Sequence, residues 1–183
     1  MVPFGAILAG GAGTRLGVAS KAAAPLAGRP LISYPAEAMR EVCQKVVVVC
    51  KADTDLPSLP EVDARWDEPD EPRHPLTGII HALERAETEV LVCAADMPFV
   101  TPEALRALAG PEGPAVVATN GGTLTPVLAL YRPAALPLLH EATEGEALRD
   151  TVERLNPATV ELSEATSVNT PEDLRAAEAR LTA

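Results

Sequence analysis

The chain has 183 residues, a length typical of one domain with a real hydrophobic core, so we expect residues 1–183 to form a single domain. Its formal net charge is −11. A nucleic-acid-binding protein needs a basic face to displace counterions, and this charge therefore argues against nucleic acid as a partner. No apolar stretch reaches the ~18 residues of a membrane span, and the first residues lack the pattern of a signal peptide. We expect a cytoplasmic protein with no membrane partner.

The first elements of the chain alternate between strand and helix patterns. Residues 2–8 form an apolar run that ends in glycines, which predicts a buried strand followed by a tight loop. Pro30 opens a stretch with helical spacing of apolar residues. Residues 46–49 are four consecutive valines, typical of a strand buried on both faces of a parallel sheet. Residues 56–75 combine prolines and acids without periodicity and predict a loop.

The second part of the chain continues the alternation. Residues 76–83 predict a helix, 89–94 a buried strand, 115–118 and 127–131 two further strands, and 142–155 a helix. The strand at 127–131 is a candidate for antiparallel pairing. Alternating strands and helices predict an α/β fold with a mainly parallel sheet.

Two turns in the second half share one pattern. Thr101 and Thr170 each precede Pro-Glu, which is a strong helix start: a threonine cap, a proline in the first turn and an acid at the positive helix end. Asp96 and Asn169 therefore each lie between a predicted strand and a predicted helix. In an open α/β sheet this position is the carboxyl edge, where ligands bind.

The first predicted strand leads into a loop rich in glycine, residues 8–17, with the sequence LAGGAGTRLG. Its glycines allow backbone N–H groups to converge on an anion. Arg15 and Lys21 add two cations within reach of the loop, which suits a triphosphate better than a single phosphate. A Walker A motif is excluded because Val18 follows Gly17. The dinucleotide-binding fingerprint requires a third glycine where this sequence has Leu16. A nicotinamide oxidoreductase is therefore a minor alternative.

These motifs resemble the MobA-like nucleotidyltransferase family, the molybdenum cofactor guanylyltransferases. The matching blocks are residues 8–11, 14–17, 21, 28–31, 75–79, 95–99, 125–132 and 168–174, so the resemblance covers nearly the whole chain. It implies a three-layer, Rossmann-like fold of the glycosyltransferase-A type, with helices on both faces of a mainly parallel sheet. It also implies Mg²⁺-dependent transfer of GMP from GTP to a molybdopterin-type phosphorylated acceptor, with release of pyrophosphate.

The resemblance also implies which residues do this work. The expected catalytic residues are Arg15, Lys21 and Asp96. The expected nucleotide-binding residues are Leu8, Ala9, Gly10, Gly11, Ala12, Gly13, Thr14, Arg15, Lys21, Asp67, Pro75 and Gly78. Asp67 would accept hydrogen bonds from the guanine imino and amino groups, and Asp96 with Asn169 would hold Mg²⁺.

The chemistry of the reaction requires only a few catalytic and metal-binding residues. A phosphate monoester is mostly a dianion at pH 7, so the acceptor needs no strong base. Mg²⁺ is commonly bound by one or two protein oxygens together with substrate phosphates. The reaction then depends on in-line positioning and on neutralisation of charge at the phosphates.

Two departures from the family pattern leave alternatives open. Cys50 and Lys51 stand where a base-contacting Asn is expected, and Thr125 stands where Gln or His is common. The base, GTP or CTP, and the acceptor therefore stay open. The alternatives are a molybdopterin cytidylyltransferase, a cobinamide-phosphate guanylyltransferase, a sugar-phosphate nucleotidyltransferase, or a nucleotide-binding module without turnover. A monomer and a small homo-oligomer are both compatible with the sequence.

Overall fold

The computed structural model describes residues 1–10, 20–143 and 145–182. Its strands are β1 (Val2–Leu8), β2 (Pro25–Leu26), β3 (Arg29–Pro30), β4 (Cys43–Cys50), β5 (Ala64–Asp67), β6 (Val90–Ala94), β7 (Ala115–Asn120), β8 (Thr123–Tyr131) and β9 (Ala158–Glu161). Seven of these form one sheet in the order β5-β4-β1-β6-β8-β7-β9. Within it β8 runs antiparallel to both of its neighbours, and the other pairings are parallel. The prediction of a mainly parallel sheet is confirmed.

Helices cover both faces of this sheet. They are α1 (Ser33–Arg40), α2 (Pro75–Ala86), α3 (Pro102–Leu108), α4 (Leu136–His140), α5 (Leu148–Glu153) and α6 (Pro171–Leu181). Buried residues of α1 and α3 share one core cluster, and those of α2, α4 and α5 share the other. Helix α6 contacts the β2–β3 hairpin beside the sheet. The structure therefore has the three layers that the sequence predicts.

The valine run shows why the middle of a central strand is apolar on both faces. Val46 and Val48 point into the core under α1, whereas Val47 and Val49 point into the core under α2. Side chains alternate along a strand, so a strand covered on both faces buries every residue. Parallel strands of this kind place their carboxyl ends at a single edge, and the functional site is built there.

Two predicted helices are shorter in the structure. Pro30 belongs to the β2–β3 hairpin, whose turn uses Gly28 at a φ of +79°, and α1 begins only at Ser33. The helix predicted over residues 142–155 is reduced to α5. Gly145 adopts a φ of +84° before it, a left-handed conformation that a continuous helix does not accommodate.

Besides the β2–β3 hairpin, two short strands of the main sheet are absent from the prediction. Strand β5 lies inside the segment predicted as loop, and only Trp66 in it is buried. Strand β9 at the opposite edge of the sheet has no fully buried residue. Edge strands of four residues carry too few apolar side chains to stand out in a sequence. No helix within the described ranges is long and apolar enough to cross a membrane.

Candidate active site

A cleft of about 500 Å³ opens where the central strands end. It lies beyond the carboxyl ends of β4, β1 and β6 and is closed on one side by the start of α2. The predicted site residues that line it are Leu8, Ala9, Gly10, Lys21, Pro75, Gly78 and Asp96. The predicted residues Gly11, Ala12, Gly13, Thr14 and Arg15 lie outside the described residues. The edge of the sheet thus brings together segments that are distant in the chain.

At one end of the cleft a lysine ammonium lies between two side-chain oxygens. The Lys21 ammonium donates to Asp96 Oδ2 and, at 2.5 Å, to Asn169 Oδ1. The Lys21 and Asp96 side chains are 17% and 14% exposed, so water and ligands reach them from the cleft. Asp96 lies two residues after the end of β6, while Lys21 begins a short helical turn at Lys21–Ala23. We name Lys21, Asp96 and Asn169 the phosphate-end cluster.

Asn169 reaches this cluster through an irregular segment. Strand β9 ends at Glu161, and residues 162–169 between it and α6 are irregular in the structure. The Val168 N–H donates to the Asp96 carbonyl at 2.8 Å, which fixes this segment against the end of β6. Asn169 therefore lies between a strand and a helix, as expected, and beside Asp96.

A capping box at the start of α6 holds Asn169 in place. The Asp173 carboxylate accepts from the backbone N–H groups of Asn169 and Thr170, both at 2.9 Å, and the Thr170 hydroxyl accepts from the Asp173 N–H. These donors, the Asn169 N–H first, lower the pKa of Asp173. The predicted threonine cap of α6 is confirmed, as is that of α3 at Thr101.

One oxygen of the cluster has no partner. Asp96 Oδ1 is buried and forms no hydrogen bond within the described residues. A buried carboxylate oxygen without a partner calls for an explanation, and a hard cation such as Mg²⁺ supplies one because it prefers oxygen ligands. Asp96 and Asn169 therefore fit a divalent cation in place of the lysine ammonium.

The other end of the cleft holds a second lysine and carboxylate. Lys51 Nζ lies 3.3 Å from Glu68 Oε1, and the two side chains are only 4% and 7% exposed. Lys51 follows β4 and also donates to the Pro69 carbonyl, while Glu68 follows β5. We name Lys51 and Glu68 the base-end pair. The sequence did not single out Glu68.

Asp67, the residue predicted to contact the base, faces away from the cleft. Its carboxylate is paired with Arg65 Nε at 2.6 Å and is more than half exposed. Arg65 also donates to the carbonyls of Lys51 and Ala52, which ties β5 to the loop after β4. Successive residues of a strand point to opposite faces. Because Trp66 is buried in the core, Glu68 shares its face and Asp67 does not.

The start of α2 forms the wall beside the base-end pair. His74 caps this helix by accepting from the Leu76 N–H, and Pro75 occupies the first turn. A Cβ on Gly78 would lie 2.8 Å from Glu68 Oε2 and 3.1 Å from Leu8 Cδ2. The absence of a side chain at Gly78 thus lets the Glu68 carboxylate lie against the helix.

The side of the cleft opposite α2 comes from β8 and from the segment before α6. Val127 and Ser167 line it. The register of β7 against β8 shifts between Val117 and Ala118, and the Tyr131 hydroxyl donates to the Pro126 carbonyl at 2.8 Å inside this irregularity. The bulge therefore places Val127 at the cleft.

Comparison with known proteins agrees with this geometry. The model of the MobA-like NTP transferase domain matches residues 5–160. A protein of Natronomonas pharaonis, described as a "Probable molybdenum cofactor guanylyltransferase", is 34% identical over 97% of both chains. The solved structure of the molybdopterin-guanine dinucleotide biosynthesis protein A of Archaeoglobus fulgidus superposes with a TM-score of 0.78 at 26% identity, covering 98% of both chains. A Thermus thermophilus 2-C-methyl-D-erythritol 4-phosphate cytidylyltransferase shares the fold, with a TM-score of 0.74 at 21% identity over the full length of both chains.

Proposed function

The chain belongs to the MobA-like NTP transferase family and is a nucleotidyltransferase; from this premise we propose that it transfers GMP from GTP to a molybdopterin-type phosphorylated acceptor. The phosphate-end cluster carries the proposal. It places a lysine, a carboxylate and an amide oxygen at the carboxyl edge of the sheet, beside the cleft. The names of the relatives support guanine as the base and molybdopterin as the acceptor.

The proposed reaction balances without a protein nucleophile. An oxygen of the acceptor phosphate attacks the α-phosphorus of GTP, a new phosphoanhydride bond forms, and the bond to the bridging oxygen of the β-phosphate breaks. Pyrophosphate leaves with the electron pair of that bond. The attacking phosphate is already ionised at neutral pH, so the protein has to align the two phosphates and stabilise the charge of the leaving group.

Lys21 is placed for the second of these tasks. Its ammonium already lies at the end of the cleft, and phosphate oxygens offer it stronger charge partners than one carboxylate and one amide. We propose that it turns from Asp96 to the phosphates when the nucleotide binds. Arg15 and the glycines of residues 10–17 are proposed to hold the β- and γ-phosphates.

The oxygens that Lys21 releases are proposed to hold Mg²⁺. Asp96 has one carboxylate oxygen bonded to Lys21 and one buried oxygen without a partner among the described residues, and Asn169 adds an amide oxygen. Mg²⁺ bound there would draw charge from the phosphate oxygens of the substrate. The capping box at Asp173 keeps Asn169 beside Asp96 before any ligand arrives.

Turnover with defined substrates tests this function. The protein is incubated with molybdopterin, Mg²⁺ and one of GTP, CTP, ATP or UTP, and pyrophosphate release and the product mass are followed. We expect release with GTP and a product heavier by one GMP unit. Asp96→Ala should lower the rate at least ~100-fold.

Thr101→Ala is the matched control, because it removes the cap of the next helix and leaves the cleft intact. Its rate should stay near that of the unsubstituted protein. Preference for CTP would contradict guanylyl transfer and leave the chemistry of the cluster standing. Undiminished pyrophosphate release by Asp96→Ala would overturn the metal assignment.

A further inference from the structure

The buried base-end pair has no task in the transfer reaction, and we propose that it selects the base of the nucleotide. The Glu68 carboxylate accepts from the imino and amino groups of guanine, and the Lys51 ammonium donates to its keto oxygen. This inference rests on the proposed function and assigns base recognition to Glu68 in place of Asp67.

The position of the pair fits the length of a nucleotide. Glu68 follows strand β5 and Asp96 comes after β6, and these strands are three positions apart in the sheet. Neighbouring strands lie about 4.8 Å apart, so the two ends of the cleft are separated by about 14 Å at the level of the strands. The Glu68 side chain leans towards β1, since its Oε1 lies 3.0 Å from the position of a Cβ on Gly10. A nucleotide whose phosphates lie at Lys21 therefore extends its base towards Glu68.

Both members of the pair keep unused hydrogen-bonding capacity. A lysine ammonium has three donors, and here one faces Glu68 and one the Pro69 carbonyl. The Glu68 carboxylate uses Oε1 for Lys51, and Oε2 lies against Gly78 with no hydrogen-bond donor among the described residues. Among the described residues, the third Lys51 donor, Glu68 Oε2 and the second lone pair of Glu68 Oε1 therefore remain for a ligand at the cleft.

This pattern matches guanine better than the other bases. Along one edge guanine presents a keto acceptor followed by two donors, the imino and the amino group. Adenine presents an amino donor and a ring acceptor, and cytosine presents an amino donor followed by two acceptors. A carboxylate accepts from both adjacent donors of guanine while the ammonium donates to the keto oxygen, whereas adenine and cytosine each offer the carboxylate one donor only.

The surroundings of the pair suit the flat faces of a base. Leu8 and Val49 approach the Gly78 backbone, with Leu8 Cδ2 at 3.1 Å and Val49 Cγ1 at 3.6 Å from a Cβ placed there. All three line the cleft. Apolar walls with a few fixed polar groups are typical of small-molecule sites. Lys51 and Glu68 supply the buried charges at this end of the cleft, where Arg73 and His74 add further polar groups.

The alternative assignment is weaker on geometry. The Asp67 carboxylate is paired with Arg65, is more than half exposed and does not line the cleft. A buried ion pair is also rarely a gain in stability, because desolvation of the charges offsets their attraction. Base recognition accounts for the retention of such a pair in the cleft wall.

The test compares two nucleotides that differ in one amino group. Inosine triphosphate lacks the 2-amino group of GTP, so it offers the carboxylate one donor fewer. Binding of each to the protein is measured by calorimetry with Mg²⁺. We expect GTP to bind roughly 10- to 100-fold more tightly than inosine triphosphate. Glu68→Gln should reduce this difference to within about threefold, and the matched Asp67→Asn should retain it in full.

Each remaining outcome is decisive. Equal affinity for the two nucleotides in the unsubstituted protein overturns the inference even if Glu68→Gln does not fold. A difference that survives Glu68→Gln and disappears in Asp67→Asn returns base recognition to Asp67. If the protein binds GTP tightly and Glu68→Gln leaves the difference between GTP and inosine triphosphate unchanged, this inference alone is overturned. If the protein binds no nucleoside triphosphate in the presence of Mg²⁺, the proposed function is contradicted as well.

Discussion

The two ends of the cleft carry the same chemical pair in different surroundings. Lys21 and Asp96 are partly exposed and share a third polar partner, Asn169. Lys51 and Glu68 are almost fully buried, with Glu68 close to two glycines. A partly exposed pair is able to exchange partners with a ligand, whereas a buried pair stays fixed because separation leaves a charge unpaired. In our proposal, this difference in burial separates a site that exchanges cations from a rigid surface that recognises the base.

Removing the lysine of each pair should have unequal effects on stability. Lys51→Met leaves the Glu68 charge buried without a partner and should lower the free energy of unfolding by about 3–5 kcal/mol. Lys21→Met should cost only about 1 kcal/mol, because water and added cations reach Asp96. Urea unfolding of the two variants measures the difference.

Added Mg²⁺ separates the two variants further. It should restore much of the stability of Lys21→Met, since the cation replaces the lost ammonium, and should leave Lys51→Met unchanged. The double variant Lys51→Met with Glu68→Leu should recover most of the loss, because both charges are gone. Equal losses from the two single lysine variants would contradict the distinction between the ends.

A smaller effect concerns the cap beside Asn169. Thr170→Ala and Thr101→Ala each remove a threonine cap and should each lower stability by about 1 kcal/mol. Only Thr170→Ala disturbs the capping box that positions Asn169, so only this variant should weaken Mg²⁺–nucleotide binding. Calorimetric titration of both variants with the Mg²⁺ complex of GTP checks this. Matching affinities would show that the phosphate end does not depend on its cap.

The smallest effect is a pH dependence near the base end. Burial, and then the neighbouring Arg85, lower the pKa of His81, one turn after Gly78 in α2. The unfolded chain therefore takes up this proton at a higher pH than the folded protein does. The contribution of neutral His81 to the free energy of unfolding should be fully present above about pH 6.5 and should be lost as the pH falls below that value. His81→Gln should reduce this slope in urea unfolding at pH 7.5 and 5.5; an unchanged slope would exclude His81 as its source.

The phosphate end was accessible from the sequence because local patterns mark it. Strand-ending apolar runs and threonine caps placed Asp96 and Asn169 near helix starts, and the family motif added Lys21. What the sequence could not show is the contact that brings Asn169 to Asp96. That contact is a single backbone hydrogen bond from Val168, and no residue pattern encodes it.

Our proposal moves the base contact from Asp67 to Glu68, and the reason why the sequence favours Asp67 is physical. Strand β5 is too short and too polar to be recognised in the sequence, so the sequence does not show which of the neighbouring acids points towards the cleft. With the strand known, alternation from buried Trp66 selects Glu68 over Asp67. The single tryptophan was the available signal. The pairing of Glu68 with Lys51 depends on β5 lying beside β4 in the sheet, and the sequence alone does not give this order.

Binding of Mn²⁺, followed by electron paramagnetic resonance with and without GTP, tests the distinction between the two ends most directly. We expect weak binding without GTP, where Lys21 occupies the oxygens of Asp96 and Asn169, and tight binding with GTP. Lys21→Met should bind Mn²⁺ more tightly than the unsubstituted protein in the absence of nucleotide, and Asp96→Ala should lose the GTP-dependent binding. Unchanged Mn²⁺ affinity in both variants would contradict a cation site at this end of the cleft.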